Sequence, residues 1–218
     1  MALTLVIGNK NYSSWSMRPW MALRGAGIPF DEVSIPLYTG DEDKQRILHY
    51  SPAGKVPVLV DGSITVWDSL AIIEYLAERF PDKGIWPADV AARAKARSIS
   101  AEMHSGFVPL RNECSMNIHR PPFKRALSAD AQANVARIEQ IWIECRRQYA
   151  SQGPYLFGRI SAADAMYAPV IHRFRTYGVT VTGEAADYVD TMQRDLAFAA
   201  WTEAALEETL VIERFEND

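Results

Sequence analysis

The pattern of apolar and polar positions over the first 35 residues predicts a β-α-β unit. Residues 4–7 form a short apolar run followed by Gly8, and residues 30–35 alternate loosely between apolar and polar positions and end at Pro36, as expected of strands. Between them, residues 15–26 have the spacing of a helix, which Gly27 closes and Pro29 follows. A unit of this kind is typical of a compact α/β sheet.

A second unit follows an irregular stretch and ends near residue 80. Residues 58–60 and 64–66 flank Asp61-Gly62, a dipeptide typical of a tight hairpin turn. Residues 69–80 then place their apolar side chains on one helical face. The hairpin and its covering helix complete the predicted α/β sheet.

Beyond residue 89 the pattern is wholly helical. A stripe of apolar residues at helical spacing contains Gly106 and Pro109, which should bend that helix, and a long helix begins at Ser128. Ser161 and Asp164 then form a variant of the capping box before an apolar run. One or two further helices extend to about residue 213.

The sequence therefore predicts an α/β domain at residues 1–80 and an all-α domain at residues 89–218. Of the 218 residues, 48% are hydrophobic and 23% are charged, which is ordinary for a folded globular protein. The net charge of −4 and the scattered basic residues give no reason to expect a nucleic-acid partner, and no apolar stretch is long enough to cross a membrane.

Cysteine and histidine positions bear on redox compartment and metals. Cys114 and Cys145 lie far apart and without metal-ligand spacing, so we expect neither a disulfide framework nor a metal site. A reducing cytoplasm is the expected compartment.

Residues 12–19 read Tyr-Ser-Ser-Trp-Ser-Met-Arg-Pro and join the first strand to the first helix. Because proline lacks an N–H, Pro19 is expected in the first turn, which places the helix start near Ser16. Ser13 and Ser14 then lie just before it, where a hydroxyl and the helix terminus favour an anion. The same serines could simply cap the helix.

Two further stretches also have two interpretations each. A cis bond at Pro57 would expose the backbone of Val56 to an extended peptide, whereas a trans proline would open an edge strand. Asp68 and Ser69 precede a helix, where they could cap it or hold the ammonium and carboxylate groups of a ligand.

The order and spacing of these three motifs resemble the glutathione transferase family across essentially the whole chain. The Ser-Ser-x-Ser-x-Arg stretch is most similar to the zeta class, the maleylacetoacetate isomerase type. The Pro-x-Gly-Lys-Val-Pro-Val-Leu and Asp-Ser-x-Ala-Ile-x-x-Tyr-Leu stretches and the capping box are hallmarks of the family. The resemblance implies a thioredoxin-like N-terminal domain, an all-helical C-terminal domain, glutathione as co-substrate and a homodimer.

The resemblance also implies particular site residues. It implies a cis Pro57 and glutathione contacts from Lys55, Val56, Pro57, Asp68 and Ser69. A serine of the first loop would steady the glutathione thiolate, which is a far better nucleophile than the thiol.

Zeta-class enzymes point to Ser13 as that serine, whereas theta- and delta-like enzymes point to Ser14. We expect Ser13 to act, with Ser14 beside it.

Two departures from the zeta pattern concern the second substrate. Trp15 stands where zeta enzymes carry a cysteine, so it should form a wall of the pocket and thiol–disulfide chemistry is not expected. Zeta isomerases grip the substrate carboxylate with a late arginine. Arg175 lies one residue, about 100° of helix, from the matching position. It could instead face a helix C-terminus.

Four further residues are candidates for the second-substrate pocket. Arg111, with Asn112 beside it, is another candidate to bind a carboxylate. Met103 and Phe107 could line the pocket or pack in the core.

The predicted function is attack by the glutathione thiolate on a small electrophile. One alternative is maleylacetoacetate isomerase activity, in which glutathione adds, a bond rotates and glutathione leaves. The other is a non-enzymatic binding or regulatory protein on the same scaffold.

Overall fold

The computed structural model describes residues 2–216 and contains a mixed four-stranded sheet. Strands β1 (Leu3–Ile7) and β2 (Phe30–Ser34) run parallel, whereas β3 (Val58–Asp61) pairs antiparallel with β1 and with β4 (Ile64–Val66). The order across the sheet is β2-β1-β3-β4. The strands and the hairpin therefore follow the prediction.

Helices cover both faces of this sheet. Helices α1 (Ser14–Gly25) and α3 (Ser69–Arg79) pack together and share a core with Leu5 of the sheet. Helix α2 (Asp41–Tyr50) covers a smaller core on the other face, to which it contributes Ile47. The sequence pattern left this segment as an irregular stretch. That prediction was wrong because α2 buries so few side chains that it has no visible apolar stripe.

The second half of the chain is all helical, as predicted. None of the helices within residues 2–216 is both long and apolar enough to cross a membrane. The helices are α4 (Val90–Ser105), α5 (Val108–Glu113), α6 (Ala129–Tyr149), α7 (Ala162–Thr176), α8 (Gly183–Gln193) and α9 (Leu196–Leu206).

The predicted bent helix is instead two separate helices, α4 and α5. Gly106 is extended and caps α4, and Phe107 has a left-handed backbone with φ of 58°. A Cβ atom on Gly106 would lie 2.7 Å from the carbonyl oxygen of Glu102, so this break needs a glycine. The break turns α5 toward the first domain.

Helix α7 is the central element of the helical half. Of its residues, Arg175 is exposed and the others are buried, and the helix packs against both α1 and α4. The predicted capping box at Ser161 and Asp164 is confirmed. One hydrophobic core continues from the sheet through α1 into the helical half, so α7 can place side chains at the start of α1.

Candidate active site

The first helix begins at Ser14, two residues earlier than the predicted start near Ser16. Ser13 is its N-cap, and the hydroxyl of Ser13 accepts a hydrogen bond of 3.4 Å from the backbone N–H of Ser16. Pro19 therefore lies in the second turn and not in the first. Its missing N–H leaves the carbonyl of Trp15 without the usual helical donor.

The two adjacent serines have different hydrogen-bond partners. The Ser13 hydroxyl donates to the Ser16 hydroxyl over 2.8 Å, and Ser16 also accepts from the N–H of Gly8 over 3.1 Å. The Ser14 hydroxyl accepts from Arg173 Nη2 over 3.0 Å. Ser13 is thus engaged in capping, and Ser14 is linked to the helical half.

Side chains on both sides of the domain boundary hold the loop before α1. The Asn11 side-chain oxygen accepts hydrogen bonds from the backbone of Ile118 (2.6 Å) and His119 (3.0 Å). The Glu208 carboxylate accepts from the backbone of Lys10 (2.6 Å) and Asn11 (3.0 Å). Because these bonds tie the loop to residues more than a hundred positions away, the helical half fixes where the serines lie.

A cavity of about 680 Å³ lies between the serine loop, the β2–α2 segment and the helical half. Its volume suits a small organic ligand. Most predicted site residues line it: Ser13, Ser14, Trp15, Lys55, Val56, Arg111 and Asn112.

Other predicted pocket residues lie elsewhere. The Val56–Pro57 bond is cis, as the resemblance implied. Met103 and Phe107 belong to the hydrophobic core, where Met103 is fully buried, so the core alternative holds for both. Arg175 is exposed and lies outside the cavity. It is two residues, about 200° of helix, from Arg173, so its side chain leaves α7 on a different side.

Asp68 and Ser69 lie outside the cavity, at the start of α3. One Asp68 oxygen caps the N–H of Leu70 (3.1 Å), and the other lies 3.2 Å from His104 Nε2. The Ser69 hydroxyl is buried and has no hydrogen-bond partner within the described part of the chain. Because the His104 ring packs edge-on against Trp15 at 5.2 Å between centroids, this helix start adjoins the wall that Trp15 forms.

Trp15 lies between two guanidinium groups. The central carbon of Arg18 is 4.3 Å from a Trp15 ring centroid, and that of Arg111 is 4.9 Å away. A cation over an indole face is attracted by the ring quadrupole, more strongly where water is excluded. Trp15 therefore lines the cavity, and its ring contacts two positively charged side chains.

Three buried or half-buried arginines make this region electropositive. Burial, with the nearby charges of Arg111 and Arg173, lowers the pKa of Arg18 to about 9. Burial and the charge of Arg111 lower the pKa of Arg173 to about 10, and burial lowers the pKa of Arg111. Among residues 2–216, none of the three forms an ion pair, and Arg18 has two nitrogens without a hydrogen-bond partner. The charge of Asp68 offsets that of Arg18 only in part, and buried positive charge of this kind favours an anionic ligand.

The last described residues, 207–216, form a C-terminal strap along the cavity. Phe215 lines the cavity, stacks on Tyr12 at 5.4 Å between ring centroids and meets Tyr38 edge-on at 5.7 Å. The Tyr12 hydroxyl donates to Glu216 over 2.7 Å. The strap thus adds an aromatic side chain to the lining of the cavity.

Sequence reasoning missed Arg173, Tyr12, Tyr38 and Phe215 as lining residues. For Arg173 the sequence did contain one indication. It follows Val170 by three residues, a spacing that places both side chains on the same side of α7, where both are buried. The aromatic residues carried no signal, because their contacts join segments far apart in the chain.

The described part of the chain shows neither a candidate metal centre nor a disulfide. No group of three or more metal-ligating side chains was found within it, and neither Cys114 nor Cys145, both of them buried, forms a disulfide there. The cavity is lined by hydroxyl, guanidinium and aromatic groups and also by Asp41, Asp43, Lys44 and Lys55.

The fold and site define a class: a thioredoxin-like domain whose first helix presents serines to a cavity closed by a helical domain. Family models agree. The model for the N-terminal domain of glutathione S-transferase matches residues 12–79, and that for the C-terminal domain matches residues 128–205. The chain belongs to the glutathione S-transferase family.

Curated relatives make the chain zeta-like. It is 35% identical to a zeta-class glutathione S-transferase of Euphorbia esula over 48% of this chain and 47% of the relative. It is 38% identical to a probable maleylacetoacetate isomerase of Caenorhabditis elegans over 45% of each. These matches span about half the length of the relatives.

Solved structures confirm the fold. A glutathione transferase homologue from Burkholderia with bound glutathione superposes with a TM-score of 0.69 at 24% identity, covering 96% of this chain and 100% of that one. A tau-class glutathione S-transferase from mango gives a TM-score of 0.69 at 20% identity, covering 94% and 96%.

Proposed function

We propose that the protein binds glutathione and stabilises its thiolate for attack on a small electrophile. One observation carries this proposal: serine hydroxyls at the start of α1 open into a cavity also lined by Arg111 and Arg173, which form no ion pair with a carboxylate among residues 2–216. Hydrogen-bond donors and positive charge lower the pKa of a thiol, and the thiolate is the nucleophile.

Other groups suit the rest of glutathione, which carries two carboxylates and an ammonium group. Lys55 and the backbone of Val56 lie at the cavity, where they would hold the peptide part. The unpartnered Ser69 hydroxyl and the half-exposed Asp68 carboxylate would hold its γ-glutamyl end.

The test is binding followed by titration. Calorimetry should show glutathione binding, and the ultraviolet absorbance of the thiolate should show a pKa for the bound thiol well below that of free glutathione. S-Methylglutathione is the control, because it should bind without a titrating signal. If glutathione does not bind, or binds with an unchanged thiol pKa, the proposal is wrong and a non-enzymatic scaffold becomes the better hypothesis.

Cis–trans isomerisation of an acidic alkene is a second candidate activity. The cavity brings Arg111 beside the serine loop, so a substrate carboxylate would meet positive charge next to the thiolate. The assay is glutathione-dependent isomerisation of a maleyl acid. Loss in Arg111→Ala with retention in Arg175→Ala would assign the carboxylate to Arg111, and the reverse would return it to Arg175. No turnover of any maleyl acid would exclude the isomerase.

We also propose a homodimer. Ile64 and Trp67, next to the start of α3, are nearly half exposed, and Val108 at the start of α5 is exposed by 50%. Single exposed apolar residues are normal on a protein surface, so the proposal rests on the resemblance to a family of homodimers, and these three side chains are candidates for the contact. Light scattering after gel filtration should give twice the chain mass of 24.5 kDa, and a monomer would contradict the proposal.

A further inference from the structure

Arg173 reaches from the helical half to the start of α1. Its Nη2 donates to the Ser14 hydroxyl oxygen over 3.0 Å, and its Nη1 donates to the carbonyl oxygens of Cys114 and Arg111. The guanidinium is buried, and the residue lies 159 positions after Ser14. The backbone carbonyls fix one edge of the planar group, so the other edge is held against Ser14.

This contact decides what the Ser14 hydroxyl can do. A serine hydroxyl has one proton to donate and can accept through its oxygen. The oxygen of Ser14 accepts from Arg173, and within residues 2–216 its proton has no acceptor. The Ser13 proton, in contrast, goes to Ser16. Ser14 is therefore the serine whose proton remains for a ligand in the cavity.

The charge of Arg173 adds to this effect. A hydroxyl that accepts a hydrogen bond from a cation becomes a stronger donor, because hydrogen bonds in a chain polarise one another. Among the described residues Arg173 has no carboxylate partner that would neutralise it, and Arg111 beside it is also positive. An anion that accepts the Ser14 proton would thus be stabilised by the hydroxyl and by the charge behind it.

We propose that Arg173 is a positioning residue: it orients the Ser14 hydroxyl and, through it, lowers the pKa of the glutathione thiol bound in the cavity. This inference rests on the proposed function. Arg173 itself touches Ser14 and not the sulfur, so its effect should depend on the Ser14 hydroxyl.

The experiment compares Arg173→Gln, Ser14→Ala and the double variant with the unchanged protein. The readouts are the pKa of the bound thiol, kcat with an aryl halide, and the dissociation constant of glutathione. Arg173→Gln should raise the thiol pKa by about 1 to 2 and lower kcat at neutral pH about 10- to 100-fold, with less change in glutathione binding. Arg194→Gln is the control, because Arg194 is an exposed arginine of the helical half whose side chain is 79% accessible.

The double variant tests how Arg173 acts. In the Ser14→Ala background, Arg173→Gln should cause little further change in the thiol pKa. An unchanged thiol pKa in Arg173→Gln overturns the inference, and so does an equal shift with and without the Ser14 hydroxyl. If the unchanged protein neither binds glutathione nor lowers its thiol pKa, the proposed function fails instead, so the two failures are distinguishable.

A second arm covers the case in which Arg173→Gln does not fold. Arg173→Lys keeps the positive charge, but its single ammonium group replaces the two guanidinium nitrogens that make the contacts of Arg173. The thiol pKa should therefore rise by less than in Arg173→Gln. Ser14→Ala should raise the thiol pKa, whereas Ser13→Ala should change it little. A rise in Ser13→Ala without one in Ser14→Ala overturns the inference.

Discussion

Asp164 should be one of the most sensitive positions for stability, because its buried carboxylate joins the start of α7 to the preceding turn. It accepts hydrogen bonds from the backbone N–H of Leu156 (3.1 Å) and from the N–H and hydroxyl of Ser161 (both 2.8 Å). Asp164→Ala removes the acceptor for all three donors. The rigid helix that carries Arg173 would then lose its N-terminal anchor.

The size of the effect follows from the donors left behind. Two backbone N–H groups lose their partner in a buried site, and each such loss costs about 1–3 kcal/mol. Part of that cost is offset because the variant also removes a buried carboxylate. We expect a net loss of about 3 kcal/mol, and for a chain of this size about 6–12 °C in Tm.

The same carboxylate should make stability depend on pH. Burial raises the pKa of Asp164 from 3.8 to about 6, despite the hydrogen bonds that oppose the shift. Between these two pKa values the native state binds more protons than the unfolded state. The contribution of Asp164 to the free energy of unfolding therefore falls as pH rises from about 4 to about 6. Above about pH 6 the contribution is constant. Asp164→Asn cannot titrate and should lack this dependence.

Urea unfolding followed by circular dichroism at about pH 4.5 and about pH 7 measures both effects. The free energy of unfolding of the unchanged protein, taken relative to that of Asp164→Asn, should fall by up to about 2–3 kcal/mol from about pH 4.5 to about pH 7. Asp190→Ala is the control, because Asp190 is an exposed residue of α8. A loss below about 1 kcal/mol in Asp164→Ala would refute the hydrogen-bond argument. A constant difference between the two pH values would refute the pKa argument.

Two further predictions concern the strap and the thiols. Phe215→Ala removes a ring that stacks on Tyr12, so KM for an aromatic electrophile should rise about 5- to 10-fold, as expected from the loss of an aromatic contact. An unchanged KM in steady-state assays would show that the strap does not contact the substrate. Leu206→Ala, at an exposed position, is the control. Cys114 and Cys145 should resist a thiol reagent in the native protein and react after denaturation, because both are buried and burial raises the pKa of Cys145 to about 12; rapid labelling of the native protein would contradict this.

Local features of the fold were predictable from the sequence. The hairpin at Asp61-Gly62 and the capping box at Ser161 and Asp164 depend on neighbouring residues only, and the structure confirms both. Helix α2 was missed because Ile47 is its one buried apolar residue, which is too little for a helical stripe. The break at Gly106 was expected as a bend, because the pattern of apolar residues does not show that Phe107 adopts a left-handed backbone.

The candidate site was predictable only in its local half. The serine loop and Val56 could be identified because each lies within a short motif. Arg173 could not be distinguished from Arg175, because the two lie two residues, about 200° of helix, apart and the sequence does not show which of them faces the cavity. Phe215 carried no signal, because its place depends on the path of the whole helical half.

The contact between Arg173 and Ser14 also sets an order in time for the formation of the site. Translation proceeds at about 5–20 residues per second, so the 159 positions between the two residues correspond to roughly 8–30 s. During that interval Ser14 has been synthesised but lacks its arginine. A nascent chain arrested before α7 would therefore display the serine loop without the hydrogen bond from Arg173, and the hydroxyl orientation that we propose would form only after the helical domain had docked.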